Sequence, residues 1–238
     1  MPFCAFEDKV MAKVYLYIIR HGEPDYKNDT LTELGVKQAE LLSERFTALN
    51  FDRIFSSPLG RAKQTAMPTC IKQNKNLEEL PWLNENLAYD AMAADFEGRK
   101  DWWFSVQNTK IRTLAGAQKY APIQSQKFYD ATVSSFDNFL SETGYTKCKD
   151  GYQASAVKYN RIAFFCHDGI SRILLSYALL IPFHIFCASF SIPHTGVTVL
   201  DFAQTADTIT APRCLMLSDL SHLFLGRMKN KYNNSFDV

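Results

Sequence analysis

The sequence predicts an α/β fold: a three-layer sandwich with a mainly parallel central sheet flanked by helices, plus a helical insertion over one sheet edge. Three observations predict it. Val14–Ile19 is a nearly unbroken run of β-branched, aliphatic and aromatic residues, the pattern of a strand buried on both faces. Strand-like and helix-like segments then alternate in the order β-α-β-α-β, a helical stretch, and β-α-β-β. The 238 residues are 47% hydrophobic and 21% charged, with 18 Phe and 11 Tyr, which is ample material for one large core.

Each element has its own local signal. Thr32 opens a helix whose Leu34, Gln38, Leu41, Leu42, Arg45, Phe46 and Leu49 recur at spacings of three and four. Arg53–Ser56 is a short strand. Ser57-Pro58 reads as the cap and first residue of a helix that carries Arg61 in its first turn and is kinked or ended by Pro68. Leu77–Leu83 is the next strand. From Asn86 to Tyr159 strand signals lapse, and Asp95–Asn108 and Gln126–Thr143 have helix length. The second of these has an apolar face of Phe128, Val133, Phe136, Phe139 and Leu140. Gly144–Lys158 is polar and reads as a loop. Arg161–Cys166 is a strand, a helix follows from Gly169 to Leu180, and Gly196–Phe202 and Arg213–Leu217 are the last strands. The expectation is a single domain over residues 1–238, with a core at about 13–85 and 160–238 and an insertion at about 86–159.

Composition excludes several classes of function. A net charge of +1 provides no field to gather nucleic acid or an anionic membrane. Val14–Ile19 is too short for a membrane span, and Arg172, Pro182 and His184 interrupt the apolar run Ile170–Phe190. Cys4, Cys70, Cys148, Cys166, Cys187 and Cys214 include no C-x-x-C pair and read as mostly buried, reduced thiols of a cytoplasmic protein.

Arg20-His21-Gly22 ends the first strand, and His167, followed by Asp168-Gly169, ends the Arg161–Cys166 strand. Ligands of open α/β sheets bind outside the carboxyl ends of strands. Arg61 sits at a helix start, an unfavourable place for a cation, which argues for a bound anion there. Two guanidinium forks and two imidazoles at one point suit a phosphoryl group. Cys166 beside His167 imitates a nucleophilic pair only in sequence, because neighbouring strand residues point to opposite faces.

Five motifs in order carry a resemblance. They are Arg20-His21-Gly22-Glu23-Pro24, the stretch Leu31-Thr32-Glu33-Leu34-Gly35-Val36-Lys37-Gln38-Ala39, and Ser56-Ser57-Pro58-Leu59-Gly60-Arg61-Ala62-Lys63-Gln64-Thr65-Ala66, followed by Leu83-Asn84-Glu85 and Cys166-His167-Asp168-Gly169. With these the chain resembles the histidine phosphatase superfamily, in the branch that contains cofactor-dependent phosphoglycerate mutases. The resemblance implies that His21 is the nucleophile, that Arg20, Arg61 and His167 bind the phosphoryl oxygens, and that Glu85 is the proton donor. Asp168 is the rival donor, as in the acid phosphatase branch, although that branch's R-H-G-x-R-x-P is replaced here by R-H-G-E-P-D. Asn28 and Lys27, in the loop after the nucleophile, are further candidate phosphate contacts. No metal and no cofactor is required.

The implied activity is hydrolysis of a small phosphomonoester. Glu85-Asn86-Leu87-Ala88-Tyr89 stands where the mutases carry E-R-x-Y, which favours hydrolysis over a mutase reaction. The alternatives are such a mutase or a non-catalytic phospho-ligand-binding module on the same fold. No nucleic-acid or membrane partner is expected. Phe183-His184-Ile185-Phe186 reads as core or as the surface of a homodimer. Trp102, Trp103 and Phe104 read equally as substrate pocket or core, and Arg99, Lys100, Lys110 and Arg112 as a solvated basic face. His184 and His222 read as structural, and His194 as offering at most a backbone N–H to phosphate.

Overall fold

The computed structural model describes residues 14–86, 126–155, 157–202 and 209–228. In chain order the strands are β1 (Val14–Arg20), β2 (Pro24–Asp25), β3 (Thr30–Leu31), β4 (Arg53–Ser56), β5 (Leu77–Glu79), β6 (Tyr145–Cys148), β7 (Gly151–Ala154), β8 (Arg161–Cys166), β9 (Val197–Phe202) and β10 (Arg213–Asp219). The helices are α1 (Glu33–Arg45), α2 (Gly60–Gln73), α3 (Gln126–Thr143), α4 (Asp168–Ala178), α5 (Phe183–Ser189) and α6 (Ser221–Leu225).

Six strands make the central sheet, in the order β10-β9-β1-β8-β4-β5. β1, β8, β4 and β5 are parallel neighbours, and β9 runs against both β1 and β10. Strand alternation sorts the apolar side chains into two layers. Val14, Leu16 and Ile18 face one side with Phe55, Ile162 and Phe164, beneath Phe136, Phe139 and Leu140 of α3 and Ile170, Leu174 and Leu175 of α4. Ile19, Ile54, Ala163 and Phe165 face the other, beneath Leu42 of α1 and Ala66 and Cys70 of α2. This is the three-layer sandwich expected. Each fully buried Leu or Phe contributes about 1.5–3 kcal/mol.

α1 starts as the sequence suggests: the Thr32 hydroxyl accepts the Gly35 N–H at 3.1 Å. Four local expectations need correction. α2 begins at Gly60 rather than at Pro58, and its cap residue Leu59 has no side-chain capping bond. Ser57 Oγ instead accepts the Leu59 N–H at 3.3 Å and faces His167. Of the two outcomes expected at Pro68, ending the helix is the one corrected: α2 runs on to Gln73, with the buried stripe Arg61, Ala62, Thr65, Ala66, Thr69 and Cys70 on both sides of the proline. The third correction concerns Leu77–Leu83, where strand pairing stops at Glu79 and Pro81 starts a 3-10 turn, Pro81–Leu83. The fourth concerns Gly144–Lys158, which is a β6–β7 hairpin rather than a loop. Tyr145 and Tyr152 are buried in it, Thr146 and Gln153 pair on its exposed side, and Tyr145 Oη donates to the Phe202 carbonyl at 2.8 Å.

α3 spans the residues expected and belongs to the core layer. The Asp95–Asn108 helix, Trp102, Trp103, Phe104 and the basic residues Arg99, Lys100, Lys110 and Arg112 lie outside the described residues. Phe183 and Phe186 are buried and pack into the core. Among the described residues no helix is long and apolar enough to cross a membrane.

One contact ties the sheet edge to α1. A Cβ on Gly22 would lie 2.8 Å from the Gly35 carbonyl oxygen, and one on Gly35 would lie 2.2 Å from that of Glu23. The chain leaving β1 therefore lies directly on the first turn of α1. Gly35→Ala is expected to destabilise the protein by about 1–3 kcal/mol through overpacking. Urea unfolding should show a lower midpoint at an unchanged slope.

Candidate active site

β1, β8 and β4 are adjacent and parallel, so their carboxyl ends lie side by side. The ladder continues one residue past each strand: His21 N–H donates to the Cys166 carbonyl at 2.9 Å, and Ser57 N–H to that of Phe165 at 2.9 Å. These bonds place His21, His167 and Ser57 on one edge. β9 runs the opposite way, so the residues before it meet the end of β1. Thr195 N–H donates to the Arg20 carbonyl at 3.1 Å, which brings His194 to the same edge. The His21 ring centroid is 5.1 Å from that of His167 and 5.4 Å from that of His194. His222, as expected, is structural: it bonds Thr195 Oγ1 at 3.1 Å behind the site.

Each ring has a defined orientation. His21 Nδ1 lies 2.7 Å from the Gly22 carbonyl and must donate to it, which leaves the lone pair on Nε2. Arg61 Nε–H points at that nitrogen from 3.4 Å. His167 Nε2 lies 2.8 Å from Ser57 Oγ. Ser57 Oγ also accepts the Leu59 N–H and can give its own proton to His167 Nε2; in that tautomer Nδ1 carries the imidazole hydrogen. His167 Nδ1 is buried without a hydrogen-bond partner among the described residues, as is Arg20 Nε. These are donors arranged for an oxyanion.

The electrostatics agree. Burial first, then the neighbouring His167, Arg20 and His194, hold His21 well below the usual histidine range. Burial and then Arg61 and Arg20 do the same to His167, and burial with Arg20 takes His194 to about 2. All three rings are neutral at pH 7. Glu85 is 3% exposed and its Oε1 accepts the Gly169 N–H at the start of α4 at 2.6 Å. Oε2 lies 3.8 Å from His167 Nδ1 and 3.9 Å from Arg61 Nη2. Burial and then Asp168 push this carboxyl up to about 7, so it holds or releases a proton near neutrality. Asp168 is committed elsewhere: its Oδ2 accepts from Arg172 Nε at 3.0 Å and its Oδ1 lies 3.9 Å from Arg20. Cys166 is pushed up to about 12 by burial and stays a thiol.

No metal set is expected from spacing in the sequence, yet donor atoms of His21, Glu85 and His167 lie within 4.8 Å of one another. Arg20 and Arg61 stand beside them, and a half-protonated Glu85 is a weak ligand. The donor set suits an anion better than a dication.

The structure thus gathers His21, His167, Arg20, Arg61 and Glu85. It does not bring in Asn28, which is exposed and donates to Asp25 Oδ2 at 2.7 Å. The next residue, Asp29, reaches the site instead: its Oδ1 accepts from Arg61 Nη1 at 2.6 Å and its Oδ2 accepts the Gly60 N–H at 2.6 Å. The chain thus supplies a carboxylate of its own at the start of α2. Ser57, Asp29 and the His194 ring are additions to the residues expected from sequence. Ser57 stands in a recognisable motif, but its place before Pro58 also suits a helix cap. His194 carried no signal, because its position depends on β9 lying antiparallel against β1.

Residues 16–121 match the histidine phosphatase superfamily (branch 1). The chain is 33% identical over 99 residues to fructose-2,6-bisphosphatase TIGAR of Xenopus tropicalis, covering 37% of this chain and 36% of that protein. It therefore spans little more than a third of that relative's length. The fold is similar to that of mycobacterial glucosyl-3-phosphoglycerate phosphatase, at 19% identity and a TM-score of 0.54 over 87% of this chain and 99% of that one. It is also similar to a putative alpha-ribazole-5'-P phosphatase from Escherichia coli K-12, at 20% identity and a TM-score of 0.56 over 87% and 98% of the two chains. The ordered motifs and the sheet agree with that match, and over residues 16–121 the chain resembles the histidine phosphatase superfamily.

The raised Glu85 carboxyl has a stability consequence. A pKa of about 7 against an ordinary 4.5 means that the folded state binds this proton more tightly than the unfolded state does. Its contribution is complete below the unfolded pKa and is lost as pH rises through the folded one, at a cost of about 3 kcal/mol. Glu85→Gln should therefore be more stable than wild type at pH 8.5, by up to about that amount, and no more stable at pH 4. Denaturant midpoints at the two pH values measure the difference.

Proposed function

We propose that the protein is a phosphomonoester hydrolase that acts through a phosphohistidine on a small phosphorylated metabolite. The observation that supports this best is the His21 ring, neutral, locked by the Gly22 carbonyl, and presenting the Nε2 lone pair to a ring of buried donors. His21 Nε2 attacks phosphorus as the bond to the ester oxygen breaks, and Glu85 gives its proton to that oxygen. Arg20, the Nε and Nη2 of Arg61, and His167 Nδ1–H hold the phosphoryl oxygens as charge builds on them. The Gly22 carbonyl steadies the imidazolium. Glu85, now a carboxylate, takes a proton from water; that water attacks phosphorus, the P–N bond breaks, and inorganic phosphate and neutral His21 are released. Glu85 serves as the acid in preference to Asp168 because its carboxyl titrates near neutrality and faces His167, whereas Asp168 is engaged with Arg172.

The similarity to a bisphosphatase over a third of that protein's length supports hydrolysis of a small phosphorylated metabolite. The cytoplasm is the compartment proposed, on the strength of free thiols at Cys70, Cys148, Cys166, Cys187 and Cys214.

Rapid quench with a labelled aryl phosphate should trap an acid-labile, base-stable phosphoenzyme, as expected of a phosphorus–nitrogen bond. His21→Ala should abolish the label, and His167→Ala should slow its formation but leave the adduct on His21. Label that survives in His21→Ala would refute the assignment.

Turnover should also be unchanged after dialysis against EDTA, because guanidiniums supply the positive charge. Activity lost to the chelator and restored by a divalent ion would instead assign the His21, Glu85 and His167 cluster to a metal.

A further inference from the structure

We propose that Asp29 is a positioning residue for Arg61 and determines which edge of its guanidinium meets the substrate; this rests on the phosphoryl-transfer reading above. The three nitrogens of Arg61 point three ways. Nη1 is 2.6 Å from Asp29 Oδ1, Nε is 3.4 Å from His21 Nε2, and Nη2 is 3.9 Å from Glu85 Oε2. Nε and Nη2 form one edge of the planar fork, the edge that grips two oxyanion oxygens at once. Asp29 occupies the remaining corner and leaves that edge turned toward the nucleophile and the acid.

The loop is shaped to deliver this carboxylate. Asp25 folds it by accepting the Lys27 N–H at 3.0 Å and the Asn28 amide at 2.7 Å. Asp29 then adopts a left-handed φ of 50°, a conformation that Asp tolerates better than most residues. Its carbonyl oxygen would lie 2.3 Å from a Cβ on Gly60, so only glycine there lets the loop close on α2. Asp29 Oδ2 takes the Gly60 N–H at 2.6 Å, so one carboxylate satisfies a free helix N–H and also offsets the arginine placed at the unfavourable end of the helix dipole. The Tyr26 ring lies 5.4 Å from the guanidinium carbon and limits its movement on another side.

A carboxylate on a phosphate-binding arginine could alternatively act as a plug that substrate must displace. The two roles predict opposite signs. The test uses the full-length chain with p-nitrophenyl phosphate turnover and calorimetric binding of inorganic phosphate. The proteins compared are wild type, Asp29→Asn, Asp29→Ala, Arg61→Gln and the Asp29→Ala/Arg61→Gln double variant. Positioning predicts that Asp29→Ala weakens phosphate binding and lowers kcat/KM about 10- to 100-fold. Asp29→Asn, which keeps an oxygen for Gly60 and melts like wild type, should lose less. In the Arg61→Gln background, Asp29→Ala should cost no more than about twofold, because both act through one guanidinium. Equal losses in the two backgrounds would make Asp29 merely structural, and tighter phosphate binding in Asp29→Ala would make it a plug; either result overturns the proposal. A wild type that hydrolyses no phosphomonoester but shows the Asp29-dependent phosphate binding would defeat the enzymatic reading and leave this one intact.

Discussion

The site depends on one constraint of backbone geometry: three parallel strands that are neighbours in the sheet must end at the same level. β8 acts as the template. Its last carbonyls, those of Phe165 and Cys166, accept the N–H groups of Ser57 and His21, one from each side. With β8 itself leading into His167, three functional residues are spaced by the sheet's own repeat, before any side chain interacts. A slip of one residue in either pairing would turn these side chains to the opposite face.

Electrostatics then exploit the depth of that edge. His21, His167, Arg20, Arg61 and Glu85 are all nearly closed to solvent. Burial favours neutral imidazoles, and the two guanidiniums add to the same bias, so both rings are unprotonated. The same burial acts in the other direction on Glu85 and makes a carboxylic acid available near neutral pH. One physical cause therefore yields both imidazoles that stay neutral and a carboxyl that titrates near neutral pH. Asp29 and the buried Asp168 offset the charge of the two arginines, which makes the burial of two cations tolerable.

Much of this was legible in the residues. Strands β1 and β8 announced themselves as apolar runs ending in His, and α3 as an apolar stripe, because one local pattern determined each. The β6–β7 hairpin was not legible: its anchors, Tyr145 and Tyr152, lie among polar residues, and their burial comes from Phe202 and Thr210, far along the chain. The role of Ser57 is hidden locally because a serine before a proline has a good use as a cap, and tertiary contact with His167 takes precedence over it. Asn28 and Asp29 differ by one position in a loop, and Asp29, at a left-handed φ of 50°, is the one that reaches Arg61. No periodicity records a choice of that kind.

The bonds that complete the site join residues far apart in the chain. Arg61 and His21 are 40 residues apart, Glu85 and Gly169 are 84 apart, Ser57 and His167 are 110 apart, and Arg20 and Ile192 are 172 apart. Closing such loops is entropically expensive and gains nothing until both ends are in place. A collapsed intermediate with α1 and α2 already formed would hold Arg61 but would have no partner for Ser57 and no N–H for Glu85. The site is complete only with these last long-range contacts, so circular dichroism, which counts helices, reports a state short of the assembled site.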